Sequence, residues 1–231
     1  MMVYSWQDLL SSFRILLGEP LLNTMAIMLG STLLACLGGI PLGVYLVLTS
    51  PGYPLAAERL YGVASSVINI LRSIPTIILV ILISSLLYFR YSVYRPTDFA
   101  LLLEAVVMWA IAAIPLCARL VESAIKEVDK GLLEAALACG ATVRQLVRKV
   151  LLKEALPGLI LGITTLSITI LGTTVMSETI AIRTIASRAV VRATIDNDGE
   201  FIVSGIAILA AIITLVQTIG TKAARHADKS R

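Results

Sequence analysis

The chain has 231 residues, 58% of them hydrophobic, and a mean hydropathy of +0.91 that excludes an ordinary soluble protein. It reads as an all-α polytopic membrane protein with no stretch left over for a second, soluble domain. The formal charge of +4 does not point to nucleic acid, because the placement of the cations follows membrane topology instead.

Residues 1–20 are a mixed lead-in. Trp6, Leu9, Leu10, Phe13 and Leu17 share a helical face, and Ser5 and Asp8 form a capping pair. Two readings stand for this segment, an interfacial helix or a solvated lead-in. The N-terminus lacks a basic region followed by an apolar core and small-residue cleavage site, so no cleaved signal peptide is expected.

Residues 21–220 form the membrane-spanning domain. Leu21 to Leu48 carries no charge and exceeds the ~20 residues needed to cross a bilayer core. Gly30, Gly38, Gly39, Pro41 and Gly43 within it permit close helix approach or a kink. Residues 49–62 make a short polar connection.

A second apolar segment lies within Val63 to Phe89 and carries Arg72 and Pro75. An arginine at mid-bilayer costs roughly 2.5–3.5 kcal/mol on insertion scales. Either residues 60–72 line a polar cavity, or the span is Ser73 to Phe89 and Arg72 reaches the interface. A third span lies between Asp98 and Arg119 and is interrupted by Glu104 and Pro115. Glu104 either faces a pathway or reaches water at the rim.

The fourth span runs from Gly158 to about Met176 and the fifth from Phe201 to about Gly220, before a basic tail at 221–231. Residues 177–200 between them are polar. Arg183, Arg188 and Arg192 among small and β-branched residues predict an amphipathic helix ending near the turn signal Asp196-Asn197-Asp198-Gly199. Met176, Ser177 and Glu178 open this connection and are candidates to face a translocation path.

The segment 129–157 is a long polar stretch flanked by apolar runs. Asp129 is an N-cap for a first helix, which Gly140 ends. Thr142 and Gln145 form a capping box for a second helix. There Val143, Leu146, Val147, Val150 and Leu151 occupy one face and Arg144, Arg148 and Lys149 the other. A small, Ala-rich helix held outside the bilayer is shaped to enter a groove on another protein.

Glu134-Ala135-Ala136, with Gly140 four residues on and an amphipathic helix after it, resembles the EAA loop of ABC-importer permeases. Further stretches resemble the methionine-importer branch of that family: Gly39-Ile-Pro41-Leu-Gly43, Asn69-Ile-Leu-Arg72-Ser73-Ile-Pro75, Ala118-Arg119-Leu-Val-Glu122 and Glu127-Val-Asp129. The resemblance implies a type I importer fold of about five transmembrane helices, with Glu134, Ala135, Ala136 and Gly140 docking on ABC ATPase subunits. It implies that Asn69, Arg72, Ser73 and Pro75 belong to core helices around the path. It also implies a second permease copy, an external substrate-binding protein, and ATP and Mg held by the partner ATPase, with no cofactor in this chain.

Two departures stand out. Lys153 occupies the place where the family usually has proline, so the helix break is expected at Pro157 instead. Ile182, Arg183 and Thr184 replace a run of glycines, which puts the substrate in doubt. The implied cargo is methionine or a related amino acid, with another small solute or small peptide as the alternative. A non-transporting scaffold or channel is a further reading, which the loop argues against.

Five spans place the termini on opposite sides. With the 129–157 loop in the cytoplasm, twelve Lys and Arg lie inside: Arg59, seven within 119–157 and four in the tail. Six lie outside: Arg14, Arg90, Arg95, Arg183, Arg188 and Arg192. This bias predicts a cell-membrane protein with its N-terminus outside and its C-terminus cytoplasmic.

No chemistry of catalysis is visible. His226, the one histidine, lies in the tail, and Cys36, Cys117 and Cys139 form no spaced framework, so neither metal site nor disulfide is expected. The phosphate-loop pattern G-x-x-x-x-G-K-[ST] is absent, so ATP hydrolysis through it must belong to a partner.

Overall fold

The computed structural model describes residues 6–91, 98–180, 182–196 and 198–229, with side chains at all but 87–91, Asp98, 178–180 and Lys229. Ser5, Arg95, Asn197 and Arg231, and the side chains of Arg90 and Glu178, therefore lie outside the described residues. Within them the chain is helical and contains no strand. The order is α1 (Trp6–Leu16), α2 (Glu19–Thr49), α3 (Glu58–Ser73), α4 (Thr76–Tyr91), α5 (Asp98–Lys126) and α6 (Lys130–Ala138). There follow α7 (Val143–Gln145), a π-helical turn (Leu146–Leu151), α8 (Leu152–Glu154), α9 (Leu156–Thr173), a 3-10 stretch (Thr174–Ile180), α10 (Ile185–Ile195) and α11 (Gly199–Lys229). Among the described residues, four helices are long and apolar enough to cross a membrane, or five if the broken pair α3 and α4 counts as one span.

The second apolar segment is thus two helices rather than one. Pro75 supplies no N–H for a helical hydrogen bond and disfavours helical backbone at the residue before it. Ile74 accordingly sits in extended conformation, φ −76° and ψ 127°, and ends α3. Arg72 is exposed in the last turn before this break. Pro157, by contrast, falls in the first turn of α9, where a missing N–H costs nothing. The third and fifth spans outrun their expected ends, α5 to Lys126 and α11 to Lys229. The tail at 221–231 therefore continues the last helix as far as the described residues go.

By packing, the chain divides into two compact units, one of residues up to Leu34 with Pro75–Ala112 and Ser167–Val216, the other of Ala35–Ile74, Ala113–Leu166 and Gln217 onward. In the first, Leu16, Ile185, Phe201 and Ile208 form a core that joins α1, α10 and α11, with Phe13, Leu21, Leu209 and Ile212 around it. On α1, Ser12 and Leu16 are buried and Leu9 and Phe13 half-buried, while Trp6, Leu10 and, just beyond the helix, Leu17 face outward. The expected apolar face is therefore rotated. Ser12 is drawn inward because its hydroxyl pairs with that of Ser204 at 2.7 Å.

Gly205 permits α11 to lie against Ala189 of α10, where any Cβ would collide with the alanine Cβ at 2.5 Å. In the second unit, Gly39 and Gly43 bring α2 onto α5. A Cβ at Gly43 would stand 2.6 Å from Val121 Cβ and 2.7 Å from the Ala118 carbonyl. This is the small-residue packing that membrane helices use where burial from water gives no drive.

Candidate functional site

The 129–157 segment is built as its sequence dictates. The Asp129 carboxylate accepts from the Gly131 N–H at 2.8 Å and caps α6. At the other end Gly140 takes φ +75°, the Gly140 N–H donates to the Leu137 carbonyl at 2.9 Å, and the Ala141 N–H donates to that of Ala136 at 3.1 Å. This pair of bonds is the Schellman arrangement, which requires a left-handed residue at the position Gly140 holds. Thr142 and Gln145 then form the reciprocal capping box of the second helix.

Of the expected docking residues, Glu134, Ala135 and Gly140 are exposed and Ala136 is half-buried. No atom lies within 4 Å of where a Gly140 Cβ would stand. Leu133 anchors α6 inward, while Leu132 and Leu137 remain exposed. The short helix therefore presents a small, weakly polar surface with two leucines beside it, and its glycine corner is open. In the second helix Leu146 and Leu151 are buried, Val143, Val147 and Val150 half-buried, and Arg144, Arg148 and Lys149 exposed. The π turn, with its five-residue hydrogen-bond step, brings Leu146 and Leu151 to the same side.

Alongside, Glu127, Asp129, Glu154 and Asp228 border a cleft of about 340 Å³ with Leu132 and Pro157.

The second unit also holds an ion network that sequence reading did not assemble. The Glu122 side chain is only 5% exposed. It accepts from Arg119 Nη1 at 2.5 Å, Lys126 Nζ at 2.7 Å and the Tyr61 hydroxyl at 3.0 Å. Arg119 Nη2 donates to the Ser65 hydroxyl (2.6 Å), the Ser65 carbonyl (2.9 Å) and Asn69 Oδ1 (2.9 Å). Removing a carboxylate from water is tolerable here because two cations and a phenol surround it. The i, i+3 and i, i+4 spacing of Arg119, Glu122 and Lys126 was a legible signal; the partners on α3 had none.

Of the expected path residues, Asn69, Arg72 and Ser73 belong to the second unit and Pro75, Met176 and Ser177 to the first. Asn69 is engaged by Arg119, and the Ser73 hydroxyl donates to the Asn69 carbonyl at 2.8 Å. Ser177 is wholly buried. Its hydroxyl donates to the Ile182 carbonyl at 2.9 Å and lies 3.0 Å from Thr184 Oγ1.

Thr184 in turn donates to the Thr174 carbonyl at 2.9 Å and, with Ser187, forms the capping box of α10. Thr24 accepts from the Ile185 N–H at 3.0 Å. Where Ile182, Arg183 and Thr184 stand in place of glycines, a buried set of hydroxyls fastens the turn into α10. That helix ends at Ile195, and its C-cap Asp196 is held by Arg192 at 2.8 Å.

Met176 borders a cleft of about 250 Å³ in the first unit. Ile77, Val80, Trp109 and Val175 supply apolar walls, and Thr76, Gly172 and Thr173 complete them. Trp109 Nε1 donates to Thr173 Oγ1 at 2.8 Å, which fixes the indole plane.

The profile of the family described as "Binding-protein-dependent transport system inner membrane component" matches residues 40–229. A D-methionine transport system permease protein of Escherichia coli O157:H7 is 43% identical over 138 residues, 60% of this chain and 61% of that protein. The chain thus spans about three fifths of that relative's length. A probable D-methionine transport system permease protein of Vibrio cholerae is 33% identical over 190 residues, 82% of each chain. Among solved structures, an inward-facing form of the MetNI methionine ABC transporter superposes with a TM-score of 0.84 at 32% identity, covering 92% of this chain and 96% of that one.

Proposed function

Because the chain belongs to the family of inner-membrane components of binding-protein-dependent transport systems, we propose that it is the permease subunit of an ATP-driven importer for methionine or a related amino acid. The observation that carries this reading is α6: an exposed, capped, alanine-rich helix closed by a left-handed glycine. Such a shape fits a groove of a partner by small-residue contact.

Glu134 makes the polar contact to an ABC ATPase, and Ala135, Ala136 and Gly140 are small so that the helix seats deeply. ATP and Mg are bound by that partner, not by this chain. A second permease copy completes the pathway, an external binding protein delivers the ligand, and Asn69, Arg72, Ser73, Pro75, Met176, Ser177 and Glu178 belong to the helices that move around it. The twelve-to-six distribution of Lys and Arg supports an orientation with the 129–157 loop and the C-terminus in the cytoplasm and the N-terminus outside.

Transport then follows as a population shift. ATP binding closes the ATPase pair, α6 moves with it as a lever, and the outward-open arrangement is favoured; hydrolysis and release restore the inward one. Such a switch works only through contact free energy that differs between the two states.

Uptake into vesicles carrying the full complex tests the reading. ATP-dependent uptake of labelled methionine that unlabelled methionine suppresses is the expected result. Suppression by another amino acid or a small peptide, but not by methionine, would reassign the cargo. Uptake without ATP would indicate a channel.

A further inference from the structure

Beside Met176 the first unit leaves a cleft of about 250 Å³, below the ~300–1,000 Å³ of pockets that enclose a whole drug-sized ligand. Its size suits one part of a small solute. Its chemistry narrows which part. Val80, Trp109 and Met176 offer hydrocarbon, an aromatic face and a thioether, and among the described side chains no charged residue lines it. Of the two lining hydroxyls, that of Thr173 is already committed, accepting from Trp109 and donating to the Ile170 carbonyl at 2.7 Å.

A charged side chain entering here would lose its water and meet no counter-ion among the described residues, whereas an apolar or thioether side chain would lose nothing. Sulfur beside an aromatic edge is a favourable contact in its own right. Val80 and Trp109 are buried and hold the walls rigid, while Met176 is partly exposed at the mouth.

We infer that this cleft is a side-chain subsite of the permease itself, receiving the uncharged apolar or thioether side chain of an amino acid while its ammonium and carboxylate stay in water outside. The inference rests on the importer reading above and adds a selecting element within this chain.

Gly172 makes it testable. It lines the cleft, and a Cβ added there meets no atom within 4 Å, so alanine is accepted without a clash and larger residues extend from an open position on the cleft wall. Leucine is also a better helix former than glycine, so the replacement does not weaken α9. Gly18, between α1 and α2 and not lining the cleft, is the control, since a Cβ there meets nothing closer than the Ile15 carbonyl at 3.4 Å.

The complete transporter, carrying Gly172→Ala, Gly172→Val, Gly172→Leu or Gly18→Leu, is reconstituted with its ATPase and binding protein, and ATP-driven uptake of labelled methionine is measured. Uptake should fall stepwise with side-chain size at Gly172, at least tenfold for Gly172→Leu, while uptake by Gly18→Leu and the thermal midpoints of all four variants stay at wild-type values. Wild-type uptake by Gly172→Leu overturns the subsite, as does an equal loss in Gly18→Leu. Release of a co-purified lipid by Gly172→Leu with uptake intact would make the cleft an acyl-chain groove and also overturn it. If the wild-type complex hydrolyses ATP but takes up no methionine, the importer reading for this cargo fails, and the subsite with it.

Discussion

Arg119 and Glu122 lie one turn apart on α5 with Nη1 and Oε2 at 2.5 Å, and the other guanidinium nitrogen of Arg119 crosses to Ser65 and Asn69 on α3. A charge pair of this kind is a fastener between helices as much as a local contact. Glu122 is its centre, since Lys126 and Tyr61 also converge on that carboxylate.

Replacing Glu122 with glutamine keeps the shape and removes the charge. It leaves Arg119, 16% exposed, facing no anion. Loss of one partner of a buried pair costs about 3 kcal/mol or more. The thermal midpoint of the purified protein should therefore drop by several degrees in Glu122→Gln and far less in Arg192→Gln, whose pair with Asp196 is substantially exposed. Equal shifts in the two variants would deny Glu122 this role.

Ser12 and Ser204, 192 residues apart in sequence, share a buried hydrogen bond that ties α1 to α11. A double-mutant cycle with Ser12→Ala and Ser204→Ala should give a coupling free energy of about 0.6–1 kcal/mol, the size found for hydrogen bonds between membrane helices. A coupling of zero would mean that α1 is not held to α11 through this bond.

Gly43 and Gly62 predict opposite outcomes for the same replacement. Leucine at Gly43 must displace the Ala118 backbone carbonyl and Val121, whereas leucine at Gly62 meets nothing within 4 Å. Folded yield in detergent should collapse for Gly43→Leu and stay unchanged for Gly62→Leu. A normal yield from Gly43→Leu would contradict the close approach of α2 to α5.

Gly140 separates conformation from size. Its φ of +75° favours glycine, tolerates asparagine and opposes a β-branched residue. Gly140→Asn should retain ATPase binding, and Gly140→Val should weaken it at least tenfold while membrane insertion is unaffected in both. Equal binding by the two variants would show that the left-handed corner does not matter to the partner.

These contrasts explain what the sequence made legible. Caps and corners are local, so Asp129, Gly140, Thr142 and Gln145 announce themselves through spacing alone. Apolar runs and glycines likewise foretell spans and close approach. The rotation of α1 was hidden because Ser12 looks polar until Ser204 is brought beside it. The hydroxyl set around Thr184 was hidden for the same reason, since Thr24 and Thr174 meet it only after folding. Pro75 was visible, yet its effect depends on whether a neighbouring helix turn compensates, and at Ile74 none does. The cleft beside Met176 needed three helical segments to be placed together, and no periodicity encodes that.

The proposed docking of α6 on an ATPase can be read by purifying the chain in mild detergent from its native membrane, as wild type and as Ala136→Arg, and identifying what accompanies it. Ala136 is half-buried on α6 beside exposed Ala135, so an arginine there enlarges the presented surface. An ABC ATPase should accompany the wild type in roughly equal amount and be lost from Ala136→Arg, with both forms equally well inserted. Wild-type chain recovered without an ATPase, or an ATPase retained by Ala136→Arg, would contradict it.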